Sequence, residues 1–120
     1  MASCASVRLA IAQAAHEIPA RAPIRVEVGE RVQVGRRDQE WPAFVFVSTE
    51  RGSGWVPERH LNHERPSALV VEAYDTTELP TNAGEQLEVL IEDRLSAWAW
   101  CRAKTGREGW VPDRILWPVQ

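Results

Sequence analysis

The chain has 120 residues, of which 44% are hydrophobic and 26% are charged. This balance is typical of a soluble globular protein with enough apolar material for a core. The net charge of −3 provides no general attraction to nucleic acid or to an anionic membrane, and no apolar run reaches the ~20 residues of a membrane-spanning helix. We therefore expect neither nucleic acid nor a membrane as a partner.

The first segment is apolar but does not have the layout of a secretory signal, since it lacks a basic leader and is interrupted by Arg8. We predict a first strand from Val7 to Ala12. The two cysteines, Cys4 and Cys101, lie far apart without a Cys-x-x-Cys spacing, which favours free thiols in a reducing compartment; a bridge between them is the alternative. We expect a cytoplasmic protein in which Cys101 is a small core residue.

A repeated motif divides the chain into two copies. Gly, Trp, Val and Pro, then an acid, Arg, one further residue and Leu, occur at Gly54–Leu61 and again at Gly109–Leu116. The same spacing of 55 residues separates the pair Gly29-Glu30 from the pair Gly84-Glu85. The residues after both pairs alternate between apolar and polar, as in a strand. Agreement over a whole register indicates an internal duplication.

Each copy is predicted to form one small domain, the first over 1–62 and the second over 67–120. About five short β-prone segments occur in each copy, separated by Gly, Pro or charged turns, and no stretch has helical periodicity. The sequence therefore predicts an all-β protein made of two small closed β structures.

Charged residues near the turns are predicted to be solvated. The stretch from Arg36 to Glu40 mixes positive and negative charges and has no glycine-rich cradle for a phosphate, so we predict a solvated loop there. The acid-Arg pairs after the two prolines predict 3₁₀ turns with solvated charges. The residues concerned are Arg36, Arg37, Asp38 and Glu40 in the stretch, and Glu58-Arg59 and Asp113-Arg114 in the turns.

The motifs resemble two Src homology 3 (SH3) domains in tandem, in a reduced form similar to bacterial variants of this domain. The second copy has the family's early Ala-Tyr-Asp and Glu-Leu, its Gly-Glu turn, its Trp after a variable loop and its Gly-Trp-Val-Pro. These stand at Ala73–Leu79, Gly84-Glu85, Trp98 and Gly109–Pro112; the first copy has Glu17, Ile24, Gly29-Glu30 and Gly54–Pro57. The resemblance implies two five-stranded barrels that dock extended, proline-rich peptides, whose polyproline II conformation is ordered before binding.

The resemblance also implies the residues of each groove. Flat aromatic and proline surfaces would receive the peptide, and acids would face its basic residue. In the second copy these are Tyr74, Trp98, Trp110 and Pro112, with the acids Asp75 and Glu78; in the first they are Trp55, Pro57 and either Trp41 or Phe44. The choice between Trp41 and Phe44 depends on gap placement and stays open.

Further expectations concern the position of the family's last groove tyrosine and the orientation of three tryptophans. The tyrosine that usually follows Gly-Trp-Val-Pro in the family is replaced by His60 in the first copy and by Ile115 in the second. We expect Trp98 to face the groove and Trp100 to lie on the outer side. We expect Trp117 to be packed between the copies or against the N-terminal segment.

The sequence favours a binding module over an enzyme. No Cys/His or Ser/His/Asp arrangement can be assigned to one site, the three histidines have no metal-ligand spacing, and no cofactor is implied. The main hypothesis is a non-enzymatic module that binds an extended, possibly proline-rich segment of a protein or peptide partner. The alternative is an assembly protein whose barrels pack in a homo-oligomer or larger complex without a working groove; binding of cell-wall peptide or sugar would require export. The oligomeric state stays open.

Overall fold

The computed structural model describes residues 8–119, and their regular structure is β apart from two 3₁₀ turns. This confirms the predicted all-β class. The strands β1 to β11 are, in chain order, Arg8–Ala12, Arg25–Val26, Arg31–Arg37, Phe44–Thr49, Gly52–Pro57, Ser67–Leu69, Tyr74–Asp75, Gln86–Asp93, Trp98–Arg102, Glu108–Pro112 and Leu116–Pro118. The predicted first strand is present from Arg8 onward; its first residue, Val7, and Cys4 lie outside the described residues.

The strands form three antiparallel sheets. A five-stranded sheet has the order β10-β9-β8-β1-β11, a four-stranded sheet has the order β5-β4-β3-β6, and β2 pairs with β7. None of these sheets closes on itself within residues 8–119, so closure into two barrels stays a prediction.

The duplication is visible in the strand register. In the two three-stranded meanders, β3-β4-β5 and β8-β9-β10, residues at equivalent positions of the repeat lie opposite each other. In both meanders the strand register also shifts at a corresponding place in the first strand. Phe44 lies opposite Pro57 just as Trp98 lies opposite Pro112. After these prolines, whose φ is restricted, the chain enters the predicted 3₁₀ turns, at Glu58–His60 and Asp113–Ile115.

The compact units do not follow the predicted domain boundaries of 1–62 and 67–120. One unit, here called the split unit, joins the segment ending at Pro19 to the segment beginning at Glu78. The other, here called the continuous unit, runs from Ala20 to Thr77. Relative to the predicted domains, the N-terminal strand β1 belongs with the second meander, and β6 and β7 belong with the first.

Strand pairing explains this exchange of segments. The first strand of each meander has an edge whose backbone groups need partners. Strand β1 pairs with β8, placing Ala10 opposite Leu87, and β6 pairs with β3, placing Ala68 opposite Val32. All four side chains are buried. Because β1 and β6 both offer a small apolar residue at this place, the sequence pattern fits either meander.

Small apolar side chains form the core of each unit. Those that lie in strands come from alternate positions, which point to one face of a sheet. In the split unit the core cluster contains Ala10, Ala12, Leu79, Leu87, Val89, Ala99, Cys101, Ala103, Val111 and Leu116. In the continuous unit the buried aliphatic residues include Ile24, Val26, Val32, Val45, Val47, Val56, Leu61, Ala68 and Val70. The expectation that Cys101 is a core residue is confirmed.

Two equivalent glycines differ in the room around them. A Cβ at Gly109 would lie 2.6 Å from the carbonyl carbon of Glu78 and 2.6 Å from the nitrogen of Leu79. That backbone is held in place, since the Leu79 N–H donates to the Trp110 carbonyl at 3.0 Å. A Cβ at Gly54 would meet only the Thr76 side chain, at 3.2 Å.

We therefore expect Gly109→Ala to lower the free energy of unfolding by about 3 kcal/mol and Gly54→Ala by about 1 kcal/mol, because a backbone clash cannot relax as a side-chain contact can. Urea denaturation of the intact variants measures both values. Equal losses, or a larger loss for Gly54→Ala, would show that the Glu78–Leu79 backbone does not constrain this position.

Candidate functional site

Three tryptophans project from one side of the split unit's meander. Trp110 lies directly opposite Trp100, and residues opposite each other on antiparallel strands share a face. Trp98 is two residues from Trp100 and shares that face as well, because side chains alternate with a period of two. Ala99 and Cys101 point to the other side, into the core. The expectation that Trp100 faces away from Trp98 is therefore wrong.

Trp100 and Trp110 form a partly exposed aromatic pair. Their ring centroids are 5.3 Å apart with an interplanar angle of 79°. The Trp100 indole N–H donates to Glu108 Oε1 at 2.8 Å, which fixes the indole edge. Ile91 lies opposite Trp100 on β8 and is 57% exposed. We call Ile91, Trp100 and Trp110 the split-unit face.

Trp98 is buried, with 8% of its surface exposed. The His16 ring meets it edge-on at a centroid distance of 5.4 Å. His16 Nε2 and Glu78 Oε1 are 2.9 Å apart, and both side chains are largely buried. Pro112, opposite Trp98, is buried too. His16 and Glu78 thus occupy the place beside Trp98 at which the family resemblance puts a peptide.

Tyr74 and Asp75 lie in the continuous unit, whereas the resemblance groups them with Trp98 and Trp110 of the split unit. The reason is that the chain passes from one unit to the other between Thr77 and Glu78. Tyr74 is buried and pairs with Val26. Asp75 lies opposite Arg25, and its Oδ1 accepts a hydrogen bond from the Thr77 N–H at 2.8 Å.

Phe44 is the register counterpart of Trp98 in the continuous unit. Each lies opposite the proline that ends its Gly-Trp-Val-Pro motif. The Tyr74 ring contacts Phe44 edge-on at 6.4 Å, much as His16 contacts Trp98. Trp41 precedes β4, and its carbonyl accepts a hydrogen bond from the Phe44 N–H at 3.0 Å. The register thus makes Phe44, and not Trp41, the counterpart of Trp98; a groove role for either residue stays a prediction.

The continuous unit has its own aromatic pair at the equivalent place. Phe46 and Trp55 are opposite each other with centroids 5.0 Å apart. The Arg36 guanidinium lies 5.5 Å from the Phe46 centroid and 5.3 Å from the Trp55 centroid. Arg21 lies 5.4 Å from the Phe46 centroid. We call these four residues the continuous-unit face.

Sequence reasoning missed this face because it assigned Arg36 and Arg37 to a solvated loop. Both residues lie in β3, so the loop prediction is wrong. Arg37 instead donates to Glu58 Oε1 at 2.8 Å. Matching the two meanders residue by residue would have placed Phe46 and Trp55 together, but no spacing rule brings Arg21 to the same ring.

His60, at the place of the missing groove tyrosine, is buried in the continuous unit at 4% exposure. Its ring meets Tyr74 edge-on at 5.2 Å, and its Nδ1 lies 3.1 Å from the Glu72 carbonyl oxygen. The Nε2 atom is buried without a hydrogen-bond partner among the described residues, and the nearest Glu72 carboxylate oxygen is 3.8 Å away. These contacts make His60 a packing residue.

The acids that follow the two prolines, Glu58 and Asp113, have pKa values that are shifted in opposite directions. A hydrogen bond from Arg37, together with one from Arg65, holds the pKa of Glu58 below its usual value. Burial raises the pKa of Asp113 at the equivalent place, and the negative charge of Glu92 adds to this effect. The ion pairs that Glu58 forms with Arg37 and with Arg65 give it a structural role.

Neither a metal centre nor a membrane span stands out in the part of the chain that the structure describes. Residues 8–119 contain no group of three or more His, Cys, Asp or Glu placed to hold a metal ion. Within the same residues no helix is long and apolar enough to cross a membrane. Comparison with protein-family models and with curated proteins gave no match.

Cys101 is fully buried, and burial raises the pKa of its thiol to about 12. Because the thiolate is the reactive form, we expect the native protein to resist iodoacetamide at about pH 8 and to react once denatured. A Cys4→Ser variant leaves Cys101 as the single thiol, and mass spectrometry follows its alkylation. Equal rates for native and denatured protein would contradict the burial of Cys101.

Proposed function

We propose that the chain is a non-enzymatic protein-interaction module made of two SH3-like barrels, and that the split-unit face docks an extended segment of a partner protein. One observation carries this proposal. Both meanders place aromatic side chains and a proline at the same register positions, on the side away from the small apolar core. The sets are Trp98, Trp100, Trp110 and Pro112 in one, and Phe44, Phe46, Trp55 and Pro57 in the other.

Strand order supports the SH3-like assignment. The split unit has five strands in one sheet, the number that the resemblance implies. The continuous unit has the counterpart of its last pairing, since Leu61 bridges Val70 as Leu116 pairs with Ala12. A meander and a 3₁₀ turn therefore occur in both units, followed by the strand β11 in the split unit and by a single bridge residue, Leu61, in the continuous unit.

The accessible aromatic surface favours Trp100 and Trp110 over Trp98 as the docking residues. Trp98 is covered by His16, whereas Trp100 and Trp110 are partly exposed and Ile91 beside Trp100 is mostly exposed. Tryptophan offers a large flat area at a small entropic cost, which is why it dominates many binding surfaces. An extended segment with proline or aliphatic side chains suits such a surface, since its order before binding lowers the entropic cost.

We expect a proline-rich peptide with one basic residue to shift the indole N–H signals of Trp100 and Trp110 in the intact protein. The Trp100→Ala variant should lose about tenfold in affinity or more, because truncation of an aromatic anchor costs about 2 kcal/mol. A titration followed by ¹⁵N-resolved nuclear magnetic resonance measures both.

Trp117→Ala is the matched control, since Trp117 is 59% exposed on β11 rather than on the split-unit face. Its affinity should stay within about twofold of the parent protein. Absence of any shift at Trp100 and Trp110 with peptide at about 1 mM, a concentration that detects weak binding, would contradict the proposed function.

A second candidate function is assembly, which the exposed apolar residues around β11 favour. Trp117, expected to be packed, is mostly exposed; it lies opposite Ile11 of β1. Leu9 and Val119 are 41% and 40% exposed and are joined by a backbone hydrogen bond. Exposed apolar patches often mark association surfaces.

If assembly is the function, the sedimentation coefficient of the intact protein should rise with concentration, and Trp117→Ala should abolish the rise. If the protein stays a monomer at every concentration up to about 1 mM, where weak self-association is detectable, self-assembly is excluded as its function.

A further inference from the structure

The continuous-unit face carries two positive charges that the proposed function does not use. Arg21 and Arg36 are exposed, and both guanidinium carbons lie within 5.5 Å of the Phe46 centroid. Neither forms an ion pair with an acid within residues 8–119. Other arginines do pair with glutamates, namely Arg8, Arg25, Arg31, Arg37, Arg51, Arg65 and Arg102.

Stacking orients these two side chains for an external anion. A guanidinium that lies over an aromatic ring is held by the ring's quadrupole, and its N–H donors remain available at its edge. The planar fork of donors matches a carboxylate, which it can bind through two parallel hydrogen bonds. Two cations on one ring also make the local potential more positive, which attracts an anionic group.

The same register positions have different charges in the split unit. Arg36 and Arg37 of β3 correspond to Ile91 and Glu92 of β8, because Arg37 lies opposite Val45 as Glu92 lies opposite Ala99. Glu108, which accepts the Trp100 indole hydrogen bond, corresponds to a serine before Gly54. The split unit therefore has Ile91 where the continuous unit has Arg36, and it has Glu108 where the continuous unit has the neutral serine.

We propose that the continuous-unit face binds carboxylate side chains of an acidic, extended segment of a partner protein, with Arg21 and Arg36 as the anion ligands. Phe46 and Trp55 position the two guanidinium groups. The argument is charge complementarity: two exposed cations that lie on aromatic rings can bind an anionic ligand without first breaking an ion pair within the described residues. This site goes beyond the split-unit face and is independent of it.

The test uses the intact protein and two blocked pentapeptides in which every second residue is alanine. The probe has glutamate at the remaining three positions, and the matched peptide has glutamine there. We expect the glutamate peptide to shift the Trp55 indole N–H and the Arg21 and Arg36 Nε–H signals, and the glutamine peptide to leave them in place. Added salt should weaken the response, because exposed charges are screened.

Variants separate this site from a general charge effect. Arg21→Met together with Arg36→Met keeps aliphatic cover over the rings and should weaken glutamate-peptide binding about tenfold or more. Arg36→Lys keeps the charge but loses the fork, and should weaken binding by a smaller factor. The matched control is Arg25→Met, which removes an exposed arginine of the same unit that is paired with Glu27; it should bind within about twofold of the parent protein.

Several outcomes would overturn the proposal: equal shifts with the glutamine peptide, an equal loss in Arg25→Met, or full binding by the double methionine variant. Inorganic phosphate that binds the face more tightly than the glutamate peptide would overturn the commitment to carboxylates. The amide spectrum of each variant reports its folding, and Arg36→Lys tests the site if the double variant does not fold. Failure at Trp55 is distinguishable from failure of the proposed function, which is read at Trp100 and Trp110.

Discussion

Hydrogen bonding along the free edge of each meander is the constraint on which the rest of the structure depends. The edges of β3 and β8 present backbone groups that need partners, and β6 and β1 supply them. Each of these edge strands is followed in the chain by the ring that packs on the first aromatic residue of the meander's middle strand: His16 on Trp98, and Tyr74 on Phe44. The choice of edge strand thus decides which residues surround each candidate site.

The two units use one backbone arrangement for two different surfaces. Both have an edge-to-face aromatic pair at the same register, with Trp100 and Trp110 in one and Phe46 and Trp55 in the other. The surroundings differ in charge, because Ile91 borders the first pair and Arg36 stacks on the second. If the proposals hold, the duplication gave one chain two faces with different ligands, an apolar extended segment and an acidic one.

Local patterns predicted the local structure well. Alternation after the Gly-Glu pairs predicted β3 and β8, and the acid-Arg pairs after Gly-Trp-Val-Pro predicted the 3₁₀ turns, since both depend on neighbouring residues. Part of the candidate site could be predicted in the same way, because a shared register places Trp110 opposite Trp100. The predicted opposite orientation of Trp98 and Trp100 was wrong, although strand periodicity alone gives the correct answer.

The sequence by itself determined the all-β class, the duplication, the burial of Cys101 and the aromatic content of each meander, because these follow from residue type and short-range periodicity. Only the tertiary structure decided which edge strand joins which meander, that Tyr74 and Trp98 belong to different compact units, and that Arg21 and Arg36 share one ring. The physical reason is that β1 and β6 offer nearly equivalent small apolar faces to β8 and β3. Local pattern cannot rank two pairings of this kind, and only the packing of whole units distinguishes them.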